Sequence, residues 1–213
     1  LAKANSGFLY IDEVNLLEDH IVDLLLDVAA SGENLVERDG ISIRHSSKFV
    51  LIGSGNPEEG ELRPQLLDRF GFSVSVGSPS EISQRIEVIK RRDEFERDPH
   101  TFLRKWRRKD LIVQKKIITA KNTLDNIKLD DKILSKCAEI CIALGSDGLR
   151  GELTLLRALR ALCAFNGIPK PTEDDIKEIA VYTLSHRLRR DPLDDTSSEV
   201  RVKRKVNELV DGK

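Results

Sequence analysis

Residues 1–77 alternate short apolar runs with polar segments in a way that is typical of a sheet covered by helices. Apolar runs at residues 8–11 ("FLYI"), 49–52 and 72–76 predict three strands. Between the first two, Leu17 to Val28 repeat at helical spacing, and Gly32 supplies a helix end. Because apolar strands separated by helices favour a parallel sheet buried on both faces, this pattern predicts an α/β fold.

A hairpin is predicted between that helix and the second strand. The stretch "NLVERDGISIRH" has two β-prone runs around Asp39-Gly40. Asp-Gly is a strong hairpin signal, since both turn positions tolerate positive φ.

The pattern changes to helical periodicity beyond Gly77. Ser78-Pro79-Ser80-Glu81 combines an N-cap, a proline at the first helical position and a capping-box acid. We predict helices near residues 79–97, 100–125, 131–144, 149–165 and 173–188. The chain therefore divides into an α/β portion, residues 1–77, and a helical portion, residues 78–213.

Composition narrows the classes of partner. Lys+Arg (35) and Asp+Glu (36) nearly cancel to a net charge of -1, so no whole-chain field favours nucleic acid. Acids also interleave the basic stretches "IKRRDEFER" and "RKWRRKD", which favours solvated helix faces over a nucleic-acid surface. We expect no nucleic-acid partner, and no apolar run has the roughly 20 residues of a membrane span.

The cysteines and the start of the chain carry two further expectations. Cys137, Cys141 and Cys163 are too few, and odd in number, for a disulfide framework, and we expect buried thiols in a reducing compartment. A redox role for them stays open. Because the chain starts at Leu1 and contains 0 Met, we expect a piece of a longer protein.

Paired acids at a strand end are the first candidate for chemistry. Asp12 and Glu13 directly follow "FLYI", an arrangement typical of nucleotide triphosphatases, in which one acid reaches Mg²⁺ and the other polarises the attacking water. A plain strand end with a helix cap is the alternative. Asn56 follows the next strand, where its amide can hold water or phosphate, and Arg69 follows a short helix.

This order of elements resembles the AAA+ ATPases, with Walker B, sensor 1 and arginine-finger motifs, and with the hairpin of the pre-sensor-1 subgroup. The stretches "IDEVNLLEDHIVDLLLDVAASGENLVERDGISIRH" and "GNPEEGELRPQLLDRFG" resemble the ATPase I subunits of magnesium chelatases. The resemblance implies the C-terminal part of an AAA+ nucleotide domain in residues 1–77. It implies a helical linker and lid in residues 78–213.

The resemblance also assigns residues. It implies ATP and Mg²⁺ as cofactors, with Asp12 and Glu13 at the metal and Asn56 as sensor 1. Arg69 is implied as the finger that enters a neighbouring subunit's site, the alternative being a surface pair with Asp68. Arg150 is implied as sensor 2, the alternative being a solvated first-turn cation.

For the helix of Arg150 we expect one cap and one buried face. Asp147 is expected to cap its N-terminus. The expected buried side consists of Leu149, Leu153, Leu156 and Leu159.

The function implied is that of a motor subunit coupling ATP hydrolysis to Mg²⁺ insertion into protoporphyrin IX, in chlorophyll or bacteriochlorophyll biosynthesis. Implied partners are further copies in a ring, a hexamer by the resemblance, and D-type and porphyrin-binding H-type subunits, in bacterial cytoplasm or plastid stroma. Because the sequence has no G-x-x-x-x-G-K-[ST] loop, we expect this chain alone not to hydrolyse ATP. A MoxR-type chaperone and a non-catalytic ring-docking module are the alternatives.

Overall fold

The computed structural model describes residues 1–38, 40–60, 62–146, 148–188 and 196–212, with the side chain of Arg38 left out. The chain divides into two compact units, Leu1–Gly71 and Phe72–Lys213. The assignment of two functional domains with a boundary near Gly77 stays a prediction.

The first unit mixes strands and helices. Its strands are β1 (Phe8–Ile11), β2 (Glu33–Arg38), β3 (Ile41–Ser46) and β4 (Val50–Gly53). Its α-helices are α1 (Asp19–Ser31) and α2 (Pro64–Leu67), and short 3₁₀ turns cover Ala2–Ala4 and Val14–Leu16. Gly32 ends α1, as predicted, in the left-handed conformation with φ 75°, and its N–H donates to the carbonyl of Val28.

Strands β1 and β4 pair in parallel, and α1 packs against the pair. The register runs from Phe8 beside Val50 to Ile11 beside Gly53. The small core of this unit contains Val14, Val22, Leu26 and Leu66. The parallel pairing predicted from the apolar runs is confirmed for these two strands. The expected burial on both faces is wrong, because Phe8, Tyr10, Val50 and Ile52 on one face of the pair are exposed.

The third predicted strand, at residues 72–76, is wrong. Within the described residues this segment has no strand partner, and the Ser73 N–H instead donates to the carbonyl of Tyr182 at 2.9 Å. Apolar alternation alone does not make a strand, because a strand needs a neighbour to accept its backbone hydrogen bonds.

The predicted hairpin is confirmed. Strands β2 and β3 pair antiparallel, with Glu33 beside Ser46 and Arg38 beside Ile41. Gly40 has φ 79°, as a tight turn requires. Its neighbour Asp39, named for the turn, lies outside the described residues.

The second unit is helical. Its helices are α3 (Ile82–Arg97), α4 (Pro99–Thr123), α5 (Asp131–Ala143), α6 (Arg150–Asn166), α7 (Glu173–Leu184) and α8 (Ser198–Asp211), with 3₁₀ turns at Leu124–Asn126 and Ser185–Arg187. Residues from α5 to α8 form one apolar core, which includes Ile140, Leu159, Ile176, Leu184 and Val206.

Three helical predictions need correction. Helix α3 begins at Ile82 rather than residue 79, with Glu81 at the cap position and no side-chain cap bond. Of the predicted buried side of α6, Leu159 is buried as expected, whereas Leu153 and Leu149, the residue before the helix, are exposed. The helix turns Leu155 and small residues such as Ala158 and Cys163 to the core in their place. The helix α8 was not predicted. Asp147, the expected cap of α6, lies outside the described residues.

Candidate functional site

The parallel register brings the ends of β1 and β4 together at one edge. Because Ile11 lies beside Gly53, the next residues, Asp12 and Ser54, leave the sheet side by side. The Ser54 hydroxyl donates to Asp12 Oδ1 at 2.5 Å, and the Tyr10 hydroxyl donates to the same oxygen at 3.0 Å. Two hydroxyl donors thus fix the orientation of the Asp12 carboxylate.

These donors also favour the ionised form of Asp12. The hydrogen bond from Ser54, and then that from Tyr10, lowers the pKa of Asp12, while partial desolvation opposes them to a smaller extent. The side chain is exposed at the edge of the sheet. Asp12 therefore presents a charged carboxylate to solvent at neutral pH.

Glu13 has an unusual backbone that Ser54 also holds. Its φ and ψ are 52° and 49°, a left-handed conformation that costs a non-glycine residue on the order of 1–3 kcal/mol. The Glu13 N–H donates to Ser54 Oγ at 3.2 Å, and the Val14 N–H donates to the Ser54 carbonyl at 2.8 Å. One serine on β4 therefore shapes both acidic residues, and the strained carboxylate residue is consistent with a functional role.

Gly53 makes room for this turn. A Cβ at Gly53 falls 2.8 Å from Val14 Cγ1, closer than side chains approach each other. Val14 is 5% exposed and lies in the core of the first unit. Val14, the residue directly after Glu13, is therefore fixed by close packing against Gly53 and the core.

Asn56 lies in the loop after β4, near the same edge. Its Oδ1 accepts a hydrogen bond from the Glu58 N–H at 3.1 Å, within its own loop. Its carbonyl accepts from Asn15 Nδ2 at 3.3 Å, which connects the two loops that follow β1 and β4. The loop is therefore held beside the acids, and the sensor 1 role of the Asn56 amide stays a prediction.

Arg69 lies just beyond α2 and makes contacts that sequence reasoning missed. Its Nη1 donates to Asp23 Oδ1, and its Nη2 donates to Asp27 Oδ1 at 2.7 Å. The sequence does contain a signal for this contact, since Asp23 and Asp27 are four residues apart and share a face of α1. The role of Arg69 as a finger stays a prediction.

Arg150 belongs to the second unit and is the first residue of α6. Its carbonyl accepts from the Thr154 hydroxyl at 2.7 Å, in the first turn. Its predicted sensor 2 role stays a prediction.

Asp12 and Glu13, at the end of β1, form what we call the acidic edge of the sheet. This edge fits a magnesium ion better than a metal held by protein side chains alone. Among the residues that the structure describes, no three His, Cys, Asp or Glu side chains are grouped to hold a metal. Mg²⁺, however, is commonly held by one or two carboxylates, waters and a nucleotide phosphate. The exposed carboxylate of Asp12, which two hydroxyl groups orient, is of that kind.

The three cysteines are buried free thiols, as predicted. Burial raises the pKa of Cys137 and Cys141 to about 12 and the pKa of Cys163 to about 11. Thiols with such pKa values are weak nucleophiles at neutral pH.

Within the part of the chain that is described, no helix is long and apolar enough to cross a membrane.

The class of protein follows from comparison of domain and fold. Residues 134–207 match the AAA lid domain. A crystal structure of a candidate ATPase from Cytophaga hutchinsonii aligns with a TM-score of 0.70 over 94% of this chain and 64% of that chain, at 17% identity. The chain thus has a partial AAA+ fold, an α/β portion followed by a helical lid.

Close relatives make the class more specific. The magnesium-chelatase 38 kDa subunit of Rhodobacter capsulatus is 61% identical over 99% of this chain and 60% of that protein. The magnesium-chelatase subunit ChlI of Anabaena variabilis is 52% identical over 96% of this chain and 54% of that protein. The chain is a homologue of these subunits, which confirms the resemblance found in its sequence and disfavours the MoxR-type alternative. It spans about 60% of the length of the R. capsulatus relative.

Proposed function

We propose that this chain forms the part of a magnesium-chelatase ATPase subunit that extends from the Asp-Glu motif through the helical lid. In this role ATP hydrolysis drives insertion of Mg²⁺, as substrate, into protoporphyrin IX, in chlorophyll or bacteriochlorophyll biosynthesis. The observation that carries the proposal is the edge at which Ser54 holds an ionised Asp12 beside the strained Glu13. The identity to magnesium-chelatase subunits supports the choice of reaction.

Each proposed residue has a separate task at the nucleotide. Asp12 binds the Mg²⁺ of Mg·ATP, and that ion neutralises charge on the phosphates when it is bound. Glu13 polarises the water that attacks the terminal phosphate, and Asn56 orients that water or the phosphate. Arg150 contacts phosphate from the lid, and Arg69 stabilises the transition-state charge in a neighbouring subunit's site.

The proposal includes partners, because a finger that acts on a neighbour requires an assembly. We propose an AAA+ ring, with D-type and porphyrin-binding H-type subunits as further partners, in bacterial cytoplasm or plastid stroma. Since this sequence lacks the loop that grips the phosphates, the isolated chain is expected to be inactive.

A chimeric subunit tests the proposal. Residues 1–213 of this sequence replace the region that they match in the R. capsulatus subunit, and ATP hydrolysis and porphyrin metallation with the partner subunits are measured. We expect Glu13→Gln to lower kcat about 10²–10⁴-fold while Mg·ATP binding persists, because the lost group acts on the water. Glu18→Gln, an exposed acid beyond the site, is the matched control. An inactive unmodified chimera, or full activity of Glu13→Gln, would contradict the proposal.

A further inference from the structure

Two carboxylates of α1 bind the guanidinium of Arg69 at its two terminal nitrogens. Nη1 donates to Asp23 and Nη2 donates to Asp27, so each end of the fork has its own acceptor. The Arg69 side chain is 31% exposed, whereas those of Asp23 and Asp27 are 55% and 61% exposed. Hydrogen bonds between ionised groups are short and directional, so the planar fork is fixed in orientation as well as in position.

The two acids are on a more rigid element than the arginine. Arg69 follows α2, a helix of only 4 residues, in a stretch without regular structure. Asp23 and Asp27 lie on α1, a helix of 13 residues anchored in the core by Val22 and Leu26. The orientation of a loop-borne arginine is thus set by a helix that is packed into the core.

A second ion pair, which also involves an acid of α1, provides a comparison. Arg63, which precedes α2, contacts Asp19 at 2.5 Å, one turn before Asp23 on α1. The Arg63 side chain is 73% exposed, more than twice the exposure of Arg69. The helix therefore carries a stripe of three acids, of which the last two converge on Arg69.

We propose that Asp23 and Asp27 are positioning residues for Arg69: they orient its guanidinium for the transition-state phosphate of a neighbouring subunit. The inference rests on the proposed function, since it assumes that Arg69 acts in such a site. Nη1 and Nη2 each donate one N–H group to an acid, and in this proposal the remaining three of the five N–H groups of the fork are the ones that meet phosphate. Preorganisation of this kind raises the rate because the group needs no reorientation during the reaction.

The test uses steady-state ATP hydrolysis by the chimeric ring. Arg69→Ala is expected to lower kcat about 10³–10⁵-fold, the range for arginine fingers. Asp23→Ala/Asp27→Ala is expected to lower kcat on the order of 10-fold with an unchanged KM for ATP, because the lost interaction matters in the transition state. Asp23→Asn/Asp27→Asn keeps oxygen acceptors and is expected to recover part of the rate. Asp19→Ala, which removes an equal charge from the same helix, is the matched control and is expected to leave kcat unchanged.

A double-mutant comparison separates positioning from a structural role. In the Arg69→Ala background, the loss of Asp23 and Asp27 is expected to cause no further decrease in kcat, since the residue that they orient is gone. A further decrease of the same size, or an unchanged or higher kcat with Arg69 present, would overturn the inference. If Arg69→Ala itself keeps the full rate, the proposed finger role fails and the inference fails with it. If only the Asp23 and Asp27 variants keep the full rate, the inference alone fails.

Discussion

Replacement of Gly53 by alanine tests the packing that shapes the acidic edge. The new Cβ falls 2.8 Å from Val14 Cγ1 and 3.2 Å from Val14 Cβ. Val14 is 5% exposed and packed in a core with Val22 and Leu26, so it has no free space to enter. Overpacking of this kind costs about 1–3 kcal/mol of unfolding free energy. We expect a loss in that range, with displacement of the residue that follows Glu13.

A second substitution, at Val14, tests whether the conflict with this side chain causes the loss of stability. Val14→Ala removes Cγ1, which is 2.8 Å from the new methyl carbon, together with Cγ2, which is at an ordinary contact distance of 3.6 Å. Alone it costs about 1.6 kcal/mol, from two buried carbons at about 0.8 kcal/mol each. In Gly53→Ala/Val14→Ala we expect the costs to be less than additive by about 1 kcal/mol, because each change relieves the other.

The assay is native-state hydrogen exchange at backbone amides of β4 and its end, such as the Ser54 N–H that donates to the Ile11 carbonyl. Tryptophan fluorescence is unsuitable, since the 1 Trp of the chain lies in the second unit. Gly7→Ala, whose Cβ meets only the Ala4 carbonyl at 3.4 Å, is the control. Wild-type exchange in Gly53→Ala, or strictly additive costs, would refute the packing argument.

Two further predictions concern titration and thiol reactivity. Ser54→Ala is expected to raise the pKa of Asp12 toward its ordinary value, as followed by carboxyl ¹³C NMR, whereas Ser42→Ala on the hairpin leaves this pKa unchanged. Because the pKa of Asp12 is lowered in the folded chain, its hydrogen bond to Ser54 stabilises the fold at pH values above the unfolded pKa of 3.8. This contribution is lost as the pH falls through the folded pKa. All three cysteines are expected to react slowly with a thiol reagent at pH 8 in the folded chain and rapidly in denaturant, because burial raises their pKa to about 11 to 12; rapid labelling of the native chain would contradict their burial.

The sequence predicted the elements that have strong local signals. The hairpin around Asp39-Gly40 and the helix that ends at Gly32 follow from turn chemistry and periodicity, which act over a few residues. Helix α8 was missed, although Val202 and Val206 have helical spacing and Gly212 ends the helix. Because many of its residues are charged, these two apolar positions, which pack into the core, were not recognised as one face of a helix.

The acidic edge was predictable only in part. Asp12 and Glu13 are adjacent in sequence, so their pairing was visible. The contact of Ser54 with Asp12 spans 42 residues, and that of Arg69 with Asp23 spans 46. Contacts of this kind depend on strand register and helix packing, which residue patterns do not fix.

A mixing experiment measures the central claim, that Glu13 and Arg69 of different subunits complete one ATP site. Chimeric subunits with Glu13→Gln and with Arg69→Ala are each assayed alone and then as a premixed assembly. In a ring with head-to-tail interfaces, random mixing of equal amounts pairs an intact Glu13 with a neighbour's intact Arg69 at about a quarter of the sites. We therefore predict ATP hydrolysis near that fraction of the unmodified rate, from two preparations that are nearly inactive alone. A mixture no more active than its separate components would contradict a shared site.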